Sequence, residues 1–273
     1  MKTRLKKLGI DSLIIFSLIA VYYFLRSFLN PDQINYFPIM IDIFIIVFVL
    51  ILITNLVNFK SSKAIYTNRK AIASYFLYIG IMLILAYGIF HFKSMIPKNA
   101  AWILYVLVTL FGLFSIYAFH IRLSNFGWQF NVPTILTTIL LITSILGIFF
   151  LHHSILQNNN FLNSSIYAFL LKFLICSIYP AFIEEVIFRG VAIAWLKSHI
   201  KSNDFLILTI QAVLFGAVHI FTNGGFTYVA LITLFMQITL GYMLGRLYLS
   251  SRSLVPGIIV HGFINAAIFT III

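Results

Sequence analysis

The sequence predicts an all-α protein, built as a polytopic integral membrane domain of about eight or nine transmembrane helices. Three observations lead there. Of its 273 residues 62% are hydrophobic and only 9% charged, with a mean hydropathy of +1.07; a soluble core has no use for so much apolar surface. The apolar residues come in runs close to the roughly 20 residues a helix needs to cross a bilayer. The polar stretches between runs are too short to form a second, soluble domain. Residues 1–273 therefore read as one membrane domain.

The runs are, in order, Leu8 to Leu29, Tyr36 to Val57, Ala71 to Phe90, Ala100 to Phe119, Val132 to Leu151, a long one from Ile166 to Leu196, Phe205 to Phe221, Phe226 to Tyr248, and Leu254 to Ile273. The first is preceded by a basic stretch, Met1 to Lys7, as in a signal peptide. Its apolar part is too long and no small-x-small site follows, so it is expected to stay as an anchor. Turn formers mark the connectors, among them Asn30-Pro31-Asp32, Ile96-Pro97, Gln157 to Asn160 and Asn223-Gly224-Gly225.

Orientation follows from the cations. With the N-terminus inside, thirteen Lys and Arg fall in cytoplasmic segments, from Lys2 through Lys60 and Lys197 to Arg246 and Arg252, against only Lys93 and Lys98 outside. This predicts a protein of the cell membrane with a cytoplasmic N-terminus. The net charge of +12 does not mark a nucleic-acid binder, because the cations sit mostly at run ends and form no basic stripe. The single cysteine, Cys176, can form no intramolecular disulfide and is read as packing.

A charge at the centre of a membrane helix costs about 2.5–3.5 kcal/mol on the mildest scale. Yet two of the six acidic residues, Glu184 and Glu185, are adjacent inside the sixth run. Glu185 and Arg189 are four apart with the acid first, the better orientation for an ion pair on a helix. A bridge that only locks packing accounts for those two. It leaves Glu184, about 100° around the helix, as a surplus carboxylate in a low dielectric, the setting of a general base or acid. The seventh run ends with Phe215 and His219 on one face, and the ninth places His261 and Asn265 on one face. Gly216 and Ala217, and Gly262 and Ala266, permit close helix approach beside the two histidines. His91, His120, His152, His153 and His199 have no such context and read as interfacial residues.

Taken together, Glu-Glu-x-x-x-Arg, Phe-x-x-x-His and His-x-x-x-Asn, in that order on three late helices, resemble the CAAX protease and bacteriocin-processing (CPBP, Abi) family of intramembrane endopeptidases. The matching residues are Glu184, Glu185 and Arg189, then Phe215 and His219, then His261 and Asn265. Each motif alone is common; the ordered triplet is specific. The resemblance covers about residues 166–270, a catalytic region, and leaves residues 1–165 as additional transmembrane helices. It implies hydrolysis of a peptide or membrane-protein substrate in or near the lipid bilayer.

The residues support the same reading without the family. Hydrolysis needs an activated water, stabilisation of the oxyanion and a proton for the leaving amine. Glu184 is placed to take a proton from water, with His219 sharing that water. His261 and Asn265 are expected to offer N–H donors to the carbonyl oxygen, while Glu185, Arg189 and Phe215 support the site.

Glu184, His219 and His261 would make a zinc set, and members of the family are often called metalloproteases. Against a metal stand the missing His-Glu-x-x-His and the poor ligand Asn265. The expectation is a reaction requiring no cofactor, with a divalent metal such as zinc as the alternative. A non-catalytic bacteriocin-immunity or adaptor protein, binding a peptide or partner in the same cavity, is the alternative from another class. A proton-coupled transporter would call for an inverted repeat, which the sequence lacks. A complete hydrolytic set favours the enzyme. The Asn223-Gly224-Gly225 loop, a turn beyond His219, suggests a cavity open to the outer side.

Overall fold

A computed structural model describes residues 64–92, 101–129, 132–155, 166–200, 203–222 and 228–272. Every regular element among these residues is helical. The runs Leu8 to Leu29 and Tyr36 to Val57 lie outside the described residues, as do the Gln157 to Asn160 and Asn223 to Gly225 connectors.

The remaining runs become helices close to their expected bounds: α1 Ala71–Phe92, α2 Ala101–Ala118, α3 Val132–Ile155, α4 Ile166–Cys176, α5 Ile193–His199, α6 Asp204–Thr222, α7 Tyr228–Ser251 and α8 Val255–Ile272. Hydroxyls inside them are satisfied by their own helix. Thr138 donates to the Thr134 carbonyl at 2.8 Å, Ser144 to Leu140 at 2.7 Å, and Thr239 to Phe235 at 2.8 Å, the back-bonding that lets such residues sit in an apolar helix. Asn203 caps α6, its Oδ1 accepting from the Leu206 N–H at 3.0 Å.

The sixth run differs from its expected form. In place of one span from Ile166 to Leu196, α4 ends at Cys176 and Tyr179 is extended at φ −144, ψ 129. The cause is Pro180, which has no N–H to donate and disfavours helical geometry in the residue before it. Around and beyond it the chain winds through wider π-helical turns, Ser177–Phe182 and Glu185–Ala192, before α5 begins. Such turns recur at functional sites, and here they carry Glu185 and Arg189.

This irregular segment is also the centre of the packing. Ile183, Val186, Ile187, Phe188 and Val191 are buried in one apolar cluster with residues of α1, α2, α5 and α6. Tyr75 of α1 meets Phe188 edge to face at 5.7 Å, and Ser74 bonds Ser115 across α1 and α2 at 3.3 Å. On the other side, Phe263 of α8 packs against Phe169 and Phe173 of α4 at 5.3 and 5.9 Å. A Cβ on Gly262 would lie 2.8 Å from the Ser177 Cα, so α8 approaches the kinked segment at a distance only glycine allows. The α7–α8 turn is pinned to the loop after a short 3-10 turn at Leu123–Phe126. Ser253 Oγ accepts from the Gln129 N–H at 3.0 Å and donates to its carbonyl at 3.1 Å. Gly127, at φ +81, accepts from the Leu254 N–H at 3.1 Å.

The outer faces of α1, α2 and α4 are apolar and exposed, with Phe76, Ile84, Phe114, Leu174 and Tyr167 all turned outward. Over the described residues alone, no helix is long and apolar enough to cross a membrane. Cys176 is buried. Arg246, counted from sequence among the cytoplasmic cations, sits inside α7 and is buried, so it contributes to packing and not to a connector.

The Gly262 contact can be tested against an open position on α3. Gly262→Val should destabilise the purified protein by about 1–3 kcal/mol, the usual cost of overpacking. Gly147→Ala, with nothing within 4 Å of the added Cβ, should leave thermal unfolding unchanged or slightly improved.

Candidate active site

Three elements converge on the site: the segment from Ile183 to Ala192, the second half of α6, and the middle of α8. Glu185 is completely buried, and its Oε1 is shared. It forms an ion pair with Arg189 Nη1 at 3.1 Å and accepts a hydrogen bond from His261 Nδ1 at 2.9 Å. The first contact is local, one turn along the segment. The second comes from α8, 76 positions away in sequence. Gly257 on α8 makes room for the carboxylate, since a Cβ there would lie 2.7 Å from Glu185 Oε2.

Arg189 is likewise fully buried. Its guanidinium lies 4.3 Å from the centroid of the Phe215 ring and donates through Nη2 to the Gly241 carbonyl of α7 at 3.4 Å. An arginine without solvent needs such compensation, and here an anion, an aromatic face and a carbonyl share the task. Phe215 is thus a support in a literal sense. Its ring also meets Phe188 at 5.0 Å, His219 at 4.6 Å and His261 at 5.9 Å, and its backbone carbonyl accepts from His219 Nδ1 at 2.8 Å.

Glu184 stands apart from this network. Its Oε2 lies 3.6 Å from His261 Nε2 and 3.8 Å from His219 Nε2, beyond hydrogen-bond distance, and has no hydrogen-bond partner in the protein. Asn265 is half-buried, one turn beyond His261 on α8. The structure therefore brings Glu184, His219 and His261 face to face, and holds Glu185, Arg189 and Phe215 directly behind them.

The hydrogen bonds fix which ring nitrogens carry protons. The Phe215 carbonyl can only accept, so His219 Nδ1 is protonated. The Glu185 carboxylate, ion-paired with Arg189, likewise accepts from His261 Nδ1–H. In the neutral rings both Nε2 atoms then face Glu184 with a lone pair. This departs from the role expected for His261. Its Nδ1–H is turned onto Glu185, so a neutral His261 presents its Nε2 toward Glu184 as an acceptor. Two partners could not be read from sequence, the Glu185 bond to His261 and the Gly241 carbonyl under Arg189. Both join positions on separate helices with no fixed spacing between them.

Glu184, His219 and His261 are the residues that would hold a divalent metal, and both bare Nε2 atoms suit one chemically. Among the described residues no group of three His, Cys, Asp or Glu side chains is arranged around a single ion position. The Glu185–Arg189 pair has a direct test. Arg189→Leu leaves a buried carboxylate uncompensated and should cost about 3–5 kcal/mol. Arg189→Leu with Glu185→Gln should recover most of the folded yield, because a neutral amide oxygen still accepts from His261. A double variant no better folded than Arg189→Leu would contradict the pairing.

Residues 164–267 match the family model described as Type II CAAX prenyl endopeptidase Rce1-like. No curated protein and no solved structure gives a significant match to the chain. The matched span includes Glu184, Glu185, Arg189, Phe215, His219, His261 and Asn265, and leaves α1, α2 and α3 outside. It lies within a few residues of the span 166–270 over which the sequence resembles the family. Across residues 164–267 the chain is thus similar to the Rce1-like type II CAAX prenyl endopeptidases, in line with the resemblance to the CPBP family that the ordered motifs carry.

Proposed function

We propose that the protein is an intramembrane endopeptidase in which Glu184 activates a water for attack on a peptide carbonyl. One observation carries the reading. A buried carboxylate oxygen with no hydrogen-bond partner faces the unprotonated nitrogens of two imidazoles from two other helices. A water there has acceptors for both of its protons.

In the proposed reaction these groups act in turn. Water gives one proton to Glu184 and directs the other toward His219 Nε2 as its oxygen bonds to the carbonyl carbon. The carbonyl oxygen becomes negative and takes the amide N–H of Asn265. Glu184 then returns its proton to the leaving nitrogen as the C–N bond breaks, which restores the starting carboxylate. Glu185 holds the His261 ring, Arg189 neutralises Glu185, and Phe215 orients His219 through its carbonyl.

The setting is the lipid bilayer, with eight or nine helices and the N-terminus in the cytoplasm. Its supports are the apolar outer faces of α1, α2 and α4, the mean hydropathy of +1.07 and the asymmetric Lys and Arg. The substrate is a peptide or membrane protein that reaches the site through the bilayer. The family match names endopeptidases, which favours the enzyme over an immunity or adaptor role.

The test uses the full chain in liposomes with an internally quenched peptide ending in a farnesylated cysteine box, alongside its unprenylated counterpart. Glu184→Ala, His219→Ala and the double variant should each lose about 10²–10⁴-fold in kcat/KM. The losses should be nearly equal, as for residues acting on one water. Losses that multiply in the double variant would contradict a shared water.

A further inference from the structure

Glu184 Oε2 makes no hydrogen bond within the protein, so its place is set by the backbone that carries it. That backbone follows the break at Tyr179 and leads into the π-helical turns Glu185–Ala192, whose hydrogen bonds span more residues than those of an α-helix. Placement here matters steeply, because a shift of about 1 Å can cost about 100-fold in rate. Support for the segment comes from the loop between α2 and α3, which precedes residues 164–267.

The loop meets the segment on either side of Glu184. Phe126 is 1% exposed and lies against the Gly190 backbone. A Cβ on Gly190 would be 2.9 Å from Phe126 Cγ and 3.0 Å from both its Cδ atoms, so only glycine admits the ring. Trp128 stacks on Phe182, two residues before Glu184, with centroids 6.0 Å apart and planes at 29°. Its indole is fixed in turn, Nε1–H donating to the Leu123 carbonyl at 2.7 Å. The same loop holds the start of α8. The Gly127 carbonyl accepts from the Leu254 N–H, and Ser253 Oγ bonds both backbone groups of Gln129. A Cβ on Gly127, at φ +81, would collide with the Arg252 carbonyl. The run from Phe126 to Gln129 thus joins the segment of Glu184 and Glu185 to the helix of His261. Glu185 meets that helix nearby, at Gly257 and at His261.

We propose that Phe126 and Trp128 are positioning residues: their loop clamps the Phe182–Gly190 stretch against the start of α8, and so sets how Glu184 and Glu185 stand to the two imidazoles. They act through the backbone they hold and not on the substrate. The effect on rate rests on the endopeptidase reading above; the effect on the Glu185–His261 bond does not.

The experiment takes Gly190→Ala, Phe126→Ala, the two combined, and Trp128→Leu, each as the folded full-length fraction in liposomes with the farnesylated quenched peptide. Glu184→Gln is the control. Each single variant should show a kcat about 10-fold lower with KM within about twofold. The combined variant should lose about as much as either single, because both changes break one contact. Nitrogen-15 spectra of ring-labelled histidine give a readout independent of turnover. The His261 Nδ1–H signal should move or divide in every single variant, while that of His199, exposed at the end of α5, stays in place. Trp128 is 39% exposed, so Trp128→Leu decides the matter even where the Phe126 and Gly190 variants do not fold. Folded variants with kcat within about twofold of wild type and an unmoved His261 signal would overturn the clamp, as would a raised KM at unchanged kcat. Activity retained in Glu184→Gln would overturn the endopeptidase reading. The His261 signal alone would then decide, a moved one supporting the clamp and an unmoved one overturning it.

Discussion

The site depends on one carboxylate oxygen. Glu185 Oε1 meets Arg189 within its own segment and His261 from α8, and all three groups are shut away from water. In that setting each charge must be answered by the protein, and breaking such a pair costs far more than forming it contributes. The contact therefore acts as a constraint. It sets the distance and rotation between α8 and the kinked segment, and it fixes the His261 tautomer. It also removes Glu185 and Arg189 from the chemistry. Glu184, the preceding residue, instead turns an Oε2 without a hydrogen-bond partner toward His219 and His261.

Backbone irregularities give this constraint its geometry. Pro180 ends the helix before the two glutamates, and the π-helical turns that follow place Glu185 and Arg189 against α6, α7 and α8 at once. Glycines let those helices close in. Gly257 leaves space for the Glu185 carboxylate and Gly262 for Ser177, both on the helix that also carries His261. Phe215 closes the far side, with its ring over the guanidinium and its carbonyl on His219. One residue of α6 thus supports both the buried ion pair and the orientation of a histidine.

Much of this was legible in the sequence because it is local. The helices of the described residues follow the apolar runs to within a few positions, since burial of the backbone leaves an apolar run no other way to satisfy its N–H and C=O groups. The Glu185–Arg189 pair follows from a spacing of four, and the order of the three motifs pointed to the family that the 164–267 match bears out. What stayed hidden is non-local. No periodicity links Glu185 to His261 or Arg189 to the Gly241 carbonyl, so the sequence does not say which partner takes the Nδ1 of His261. The break at Tyr179 is a different case. Pro180 was in plain view, but counting apolar residues gave no weight to its missing N–H.

The central claim is that Glu185 and the Phe215 carbonyl hold the Nδ1–H of His261 and His219, leaving two bare Nε2 atoms toward Glu184. Nitrogen-15 spectra of the protein with ring-labelled histidine, assigned through His219→Gln and His261→Gln variants, read this directly. The account predicts that both neutral rings carry their proton on Nδ1. A proton on Nε2 of His261 would contradict it, because Glu185 would then not be the group that orients that ring.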